Sequence, residues 1–182
     1  MKTQALPLRF LIVFLSFVFL SFSSCKKDDA NPKEVLPAAT MEGKNTFGAK
    51  VNGKVWLPKG RTSFFQPNLD VLFDTGFEGG SISIRAYRVE ENPDSHEFMV
   101  IFMTQVDGTG SYNLGNPQAG SVLFEREECV YEGNEGEVDG TLEITKLDLQ
   151  NGIIAGKFDF TITHPSCGTV RVTEGRFDKK IF

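Results

Sequence analysis

The sequence predicts an all-β fold, an antiparallel β-sandwich or flattened barrel of about ten short strands. Three observations predict it. Beyond residue 45, apolar residues recur at every second position, the period of a strand with one buried face. Glycine, proline and two Asn-Gly pairs break the text at short intervals, as tight turns require. No window carries the three-to-four-residue apolar period of a helix.

The chain opens differently. Lys2 and Arg9 mark a basic head, residues 10–22 are almost wholly apolar, and Ser23-Ser24-Cys25-Lys26-Lys27-Asp28-Asp29 follows. The apolar run is too short for a membrane-spanning helix, which needs about 20 apolar residues. It suits the core of a secretory signal, and the small residues before Cys25 suit a cleavage site. Residues 1–24 are therefore read as a lipoprotein signal peptide and Cys25 as the lipidated residue. Phe22 stands three places before the cysteine, where leucine is usual. Two or more acyl chains on Cys25 would make a stable anchor. Residues 25–44 are polar, carry Pro32 and Pro37 and show no sustained period, so they are expected to form a flexible tether. The all-β domain is expected over residues 45–182.

Within that domain Phe47, Ala49 and Val51 alternate with smaller or polar residues, and Asn52-Gly53 offers the positive-φ pair of a two-residue hairpin. Val55, Trp56 and Leu57 return from that turn. Residues 62–66 read as another short strand. Leu69, Val71 and Phe73 alternate with Asp70 and Asp74, and residues 81–87 have a clear period of two. Asn92-Pro93-Asp94 marks a turn. Residues 98–103 are apolar on both faces, which predicts a central strand or one covered on both sides. Tyr112 and Leu114 mark a short strand. Residues 122–131 read as one long strand, and residues 132–137 as an acidic, glycine-rich loop. Leu142 and Ile144 give way to Leu147 and Leu149, a change of phase that predicts a bulge. Asn151-Gly152 supplies the second hairpin signal. Phe158, Phe160 and Ile162 share one face, and Val170 and Val172 begin the last strand.

Three stretches carry a resemblance: Asn52-Gly53-Lys54-Val55-Trp56, then residues 151–160 (NGIIAGKFDF), then residues 172–178 (VTEGRFD). Their order resembles an uncharacterised Bacteroidota lipoprotein family, built as a signal, a tether and one all-β domain. The resemblance implies no catalytic or binding residue. Lys26, Lys27, Asp28 and Asp29 also resemble the surface-export signal of Bacteroidota lipoproteins. This implies an outer-membrane lipoprotein displayed at the cell surface, with retention on the periplasmic leaflet as the alternative.

Charge and cysteines narrow the partners. Removing residues 1–24 takes away two bases and no acid, so the net charge moves from −5 to −7. An acidic balance argues against nucleic acid, which is bound through basic patches. Of three cysteines, lipidation would use Cys25. Cys129 and Cys167 remain as a pair that forms either a disulfide or two buried thiols.

No reactive set stands out. His96 and His164 both sit near turn signals, without a nucleophile elbow to accompany them. Clustered ligands for zinc are missing, and the acids at Asp107, Glu132, Glu135, Glu137 and Asp139 lack the spacing of a calcium loop. Glu125, Glu127 and Asp139 are the carboxylates available for a glycosidase pair. No cofactor, metal or catalytic residue is expected. The expected function is a non-catalytic binding or scaffolding domain, held to the membrane by its N-terminal lipid, with an envelope protein or glycan as partner. A carrier of a small apolar ligand inside a β-barrel is the alternative, and a glycan-directed hydrolase a second.

Overall fold

A computed structural model of the chain describes residues 34–60, 65–90, 96–133 and 137–182. The expected signal peptide, Cys25 and Lys26 to Asp29 lie outside these residues, as do the turn at residues 92–94 and most of the strand expected over 62–66. Phe65 and Gln66 are described and lie outside strands.

Eleven strands follow in chain order: β1 (Thr46–Val51), β2 (Lys54–Trp56), β3 (Leu69–Asp74), β4 (Ser81–Val89), β5 (His96–Thr104), β6 (Gly110–Asn113), β7 (Gly120–Arg126), β8 (Cys129–Glu132), β9 (Glu137–Asp148), β10 (Ile153–His164) and β11 (Gly168–Lys180). One sheet has the order β2-β1-β11-β10-β9-β6, the other β3-β4-β5-β7-β8. Both are antiparallel, and they pack face to face without closing into a barrel. The flattened-barrel alternative falls, because β2 and β6 end one sheet while β3 and β8 end the other.

The core lies between the sheets. Phe47, Phe158, Phe160, Phe177, Leu142 and Ile144 come from the six-stranded sheet, and Val71, Ile82, Ile84, Met99, Ile101, Val122 and Phe124 from the five-stranded one. β5 is central in its sheet, as its apolar text implies. Met99, Ile101 and Met103 are buried, whereas Phe98, Val100 and Phe102 are half-buried on the outer face. That outer face is covered by neighbouring rings rather than by another layer. Tyr87 stacks on Phe98 at 4.1 Å, and Phe77 lies 6.4 Å from Phe102, between ring centroids.

The register of the long β10–β11 hairpin rests on a reciprocal exchange. Gly156 stands opposite Phe177, and Phe158 opposite Gly175. A Cβ on Gly156 would overlap the Glu143 carbonyl oxygen and lie 2.7 Å from the Phe177 ring, and one on Gly175 would overlap the Phe158 ring and meet the Phe158 carbonyl oxygen. Each ring therefore occupies the space that the facing glycine leaves open. Just beyond, β11 bulges. Phe158 faces Gly175 but Phe160 faces Val172, and β1 records the same slip between Gly48 and Lys50. Glu174 takes a positive φ of 52° at this point. The bulge reconciles Phe177 with Val172 and Val170, which are five and seven residues away and would otherwise face outward. A second bulge, at Thr145 in β9, accounts for the phase change read in the sequence.

Two turns differ from expectation. Residues 122–131 are not one strand: Arg126 pairs with Cys129 around a two-residue turn, Glu127-Glu128, with Glu127 at a φ of 54°. A glutamate in that conformation gives no turn signal in the text. The second Asn-Gly pair does close a hairpin, but within a four-residue turn, since Asp148 pairs with Ile153. Asn52-Gly53 is the two-residue turn expected, both residues having positive φ.

Of the tether expected over residues 25–44, residues 34–44 are described, and they belong to the compact unit. The compact unit begins at Glu34, and residues 34–44 run as a strap against β1 and β11. Gly48 makes room for it: a Cβ there would lie 2.7 Å from Pro37 Cδ.

Three contacts clasp the sheets at one end. Cys129 and Cys167 form a disulfide between β8 and the β10–β11 turn, with Cα atoms 6.1 Å apart. The Tyr131 hydroxyl donates to the Cys167 carbonyl at 2.8 Å. Trp56 Nε1 donates from β2 to the Glu97 carboxylate on β5, which also accepts from Arg126. The disulfide closes a loop with a sequence separation of 38, for which chain entropy gives about 4 kcal/mol. Replacing both cysteines with alanine is expected to lower unfolding free energy by about 2–4 kcal/mol. Urea titration against wild type checks it; equal midpoints contradict a stabilising bridge.

Candidate functional site

Along β9, β10 and β11 every second residue points away from the core, and the twisted six-stranded sheet curves around these side chains. The result is an open trough of about 980 Å³ on its outer face. The register sets out its floor in rows. One row runs Ser111, Glu143, Lys157, Arg176 and Gly48 across β6, β9, β10, β11 and β1; the next runs Asn113, Thr141 and Asp159. Ala39 of the strap contributes to the rim.

The trough presents polar and apolar surface in nearly equal parts and is mixed in charge. Glu143 and Lys157 pair across strands at 3.9 Å. Arg176 approaches the Glu174 carboxylate at 3.6 Å and donates to the Pro37 carbonyl at 3.3 Å, tying floor to strap. Glu174 also accepts from Lys50 Nζ at 2.5 Å, and this bond holds its carboxyl below the ordinary value. Hydroxyls of Thr109, Ser111, Thr141 and Thr145 complete the lining, which carries no aromatic side chain apart from Phe158, whose ring faces the core. Such a surface offers alternating donors and acceptors over several residues. It suits a hydrogen-bonding ligand rather than an apolar one.

Two further concavities open elsewhere on the surface. A groove of about 660 Å³ is lined by Val71, Leu72, Phe73, Leu149, Ile181 and Phe182. A dent of about 230 Å³ lies beside the strap at Val35, Pro37 and Leu57. The enclosed barrel cavity that an apolar-ligand carrier would use has no place in a two-sheet fold whose interior holds the core side chains.

The strap is fastened at both ends. At its start Glu34 contacts Arg88 at 3.0 Å and Lys59 at 3.3 Å, and Glu90 contacts both cations as well. Burial raises the Glu34 carboxyl, but Arg88 and Lys59 outweigh it and hold the group below its ordinary value. At the other end Asp178 on β11 is 1% exposed. Its carboxylate accepts from Thr40 Oγ1 at 2.6 Å and from the backbone N–H groups of Glu42 at 3.0 Å, Gly43 at 2.7 Å and Lys44 at 3.1 Å. Burial pushes its carboxyl up; the four donors pull it down further, leaving it below the ordinary 3.8. In the sequence Asp178 stands out only as the last residue of the 172–178 stretch that carries the family resemblance.

The carboxylates weighed for glycoside hydrolysis are not brought together. Glu125 lies on the outer face of the five-stranded sheet, 3.0 Å from His96 Nε2. Glu127 is in a turn, and Asp139 belongs to β9 of the opposite sheet. His164 ends β10 and lies edge-on to Tyr131, with ring centroids 6.1 Å apart. Among the described residues no three of His, Cys, Asp or Glu gather as a metal-holding group; Glu135 lies outside them.

Residues 43–179 match a family described as a domain of unknown function, DUF6252. The chain belongs to this family. No curated protein and no solved structure matches it. The DUF6252 region opens at Gly43, inside the Asp178 clamp, and includes the trough floor, both bulges and the disulfide. Residues 34–42 of the strap precede it.

Asp178 gives a pH dependence with a definite sign. Its folded pKa is depressed, so its contribution is complete above the unfolded value and is lost as the pH falls through the folded one. Replacing Asp178 with asparagine is expected to cost about 2 kcal/mol at pH 7. The gap from wild type should close below about pH 4. Chemical unfolding at several pH values checks this, and a gap that stays constant to pH 2 contradicts it.

Proposed function

We propose that the protein is a lipid-anchored envelope lipoprotein whose β-sandwich binds a polar partner, an envelope protein or glycan, without chemistry of its own. The signal-like residues 1–24 with Cys25 support the anchor, and the resemblance to Bacteroidota lipoproteins supports an outer-membrane location. Lys26, Lys27, Asp28 and Asp29 support display at the cell surface. The observation that carries the binding role is the trough, about 980 Å³ of hydroxyls and alternating charges on a rigid sheet face. Its ion pairs are exposed and neutralised within the row, so binding would come from many hydrogen bonds rather than from one strong charge.

Crosslinking on intact cells, followed by affinity recovery, tests both halves. Wild type should carry labelled fatty acid and recover a partner. Cys25→Ser should lose the label and the membrane fraction. Thr141→Tyr with Asp159→Tyr, which fills the trough at exposed or half-exposed sites, should keep the label and wild-type thermal midpoint but lose at least tenfold of the recovered partner. Full recovery by the filled variant removes the trough from the reading; a membrane-bound Cys25→Ser protein removes the anchor.

A further inference from the structure

The two fastenings of the strap differ in kind. The first is ionic and partly wet: the Glu34 side chain is 32% exposed, while Arg88 is 12% exposed. Pairs of this sort contribute little individually and are screened by salt. The second is a buried carboxylate receiving one hydroxyl and three backbone N–H groups. Salt does not reach it, and losing it leaves several donors without partners. Between them Pro37 lies on the bare backbone of Gly48, and the Pro37 carbonyl accepts from Arg176.

We propose that residues 34–44 form a two-stage latch that sets how far the sandwich can stand from a lipid anchor at Cys25. The proposal rests on the anchor reading above. With both stages closed, nine peptide steps separate Cys25 from the fastened Glu34, a reach of at most about 30 Å. Opening the ionic stage moves the fastened point to Pro37, twelve steps away, where Arg176 and Gly48 hold the chain, and extends the reach to about 40 Å. Opening the carboxylate stage as well extends it to about 65 Å. Ala39 lies between Pro37 and Thr40 and lines the trough, so that part of the rim leaves when the second stage opens as well. Stand-off and access to the trough are thus linked by one segment. Salt opens the first stage and leaves the second closed.

The test uses the acylated protein in phosphatidylcholine vesicles. A Ser121→Cys label on the outer face of the other sheet reports energy transfer to a dye in the bilayer. Cys25 is acylated and Cys129 is bridged to Cys167, so this thiol is uniquely reactive. In 0.1 M salt the label should sit closer to the bilayer than in 1 M salt, by roughly 10 Å, within the limits of reach. Glu34→Ala should give the longer distance at both salts; Asp178→Asn should match wild type in 0.1 M salt, where the ionic stage still holds Glu34, and exceed it in 1 M salt. Hydrogen exchange on the same samples should show the Glu42, Gly43 and Lys44 amides protected in wild type at either salt and unprotected in Asp178→Asn, with β9 and β10 amides protected throughout as the check on folding. Unprotected amides at 42–44 in wild type overturn the latch. Distances unmoved by Glu34→Ala, Asp178→Asn and salt overturn its role in stand-off. Fatty-acid analysis reports separately on the anchor: an unacylated Cys25 overturns the stand-off role, while the exchange pattern alone then decides whether the strap is latched.

Discussion

The fold depends on two phenylalanines and two glycines that exchange places across one hairpin. Phe158 fills the space above Gly175, and Phe177 fills the space above Gly156. A glycine inside a strand ordinarily weakens it, because it loses more entropy on ordering and packs nothing. Here the missing side chains are what let two large rings lie flat on the sheet. A slip of one residue would place each ring against a side chain and turn the core face of β11 to solvent. The exchange thereby fixes the pairing of β10 with β11, the two central strands of the larger sheet, and the rest of that sheet is built outward from them.

The strap and the trough are consequences of that register. Holding Phe177 inward obliges β11 to bulge at Glu174 before Val172 and Val170 can also face the core. The bulge brings Glu174 and Arg176 to the outer face beside Lys157, and so furnishes one side of the trough. One residue beyond Phe177, Asp178 is buried where β11 lies between β1 and β10, and there it gathers the backbone of residues 42–44. The Phe47 ring, 5.2 Å from Phe158 and 5.9 Å from Trp56 between centroids, carries the same packing out to β1 and β2. The disulfide and the Tyr131 hydroxyl then close the far end of the sandwich against the smaller sheet.

Much of this was legible in the residues and some was not. Alternation gave β1, β3, β4 and β10, because each buries one face and exposes the other. The phase change after Ile144 announced the β9 bulge. The bulge in β11 leaves no such mark, since Thr173, Glu174 and Gly175 interrupt the alternation that Val170 and Val172 begin. Glu127 concealed a turn because glutamate rarely takes a positive φ and nothing beside it compensates. The strap left no such mark. Residues 34–44 are irregular and show no sustained period, and such text reads as a tether. They are ordered by hydrogen-bond and ion-pair partners distant in sequence, Lys59, Arg88, Asp178 and Arg176 among them, which no local pattern can reveal. The trough was equally hidden. Its residues are ordinary wet-face Thr, Glu and Lys until the register aligns them in rows.

The central claim is that the glycines at 156 and 175 are required by the rings opposite them and the carbonyl oxygens beside those rings. Denaturant unfolding of Gly156→Ala and Gly175→Ala tests it most directly. A strand glycine with open space above it gains roughly 0.5–1 kcal/mol on becoming alanine. The reciprocal exchange predicts the opposite sign at both positions, a loss of about 1–3 kcal/mol from overpacking. Alanine variants as stable as wild type, or more so, would contradict it.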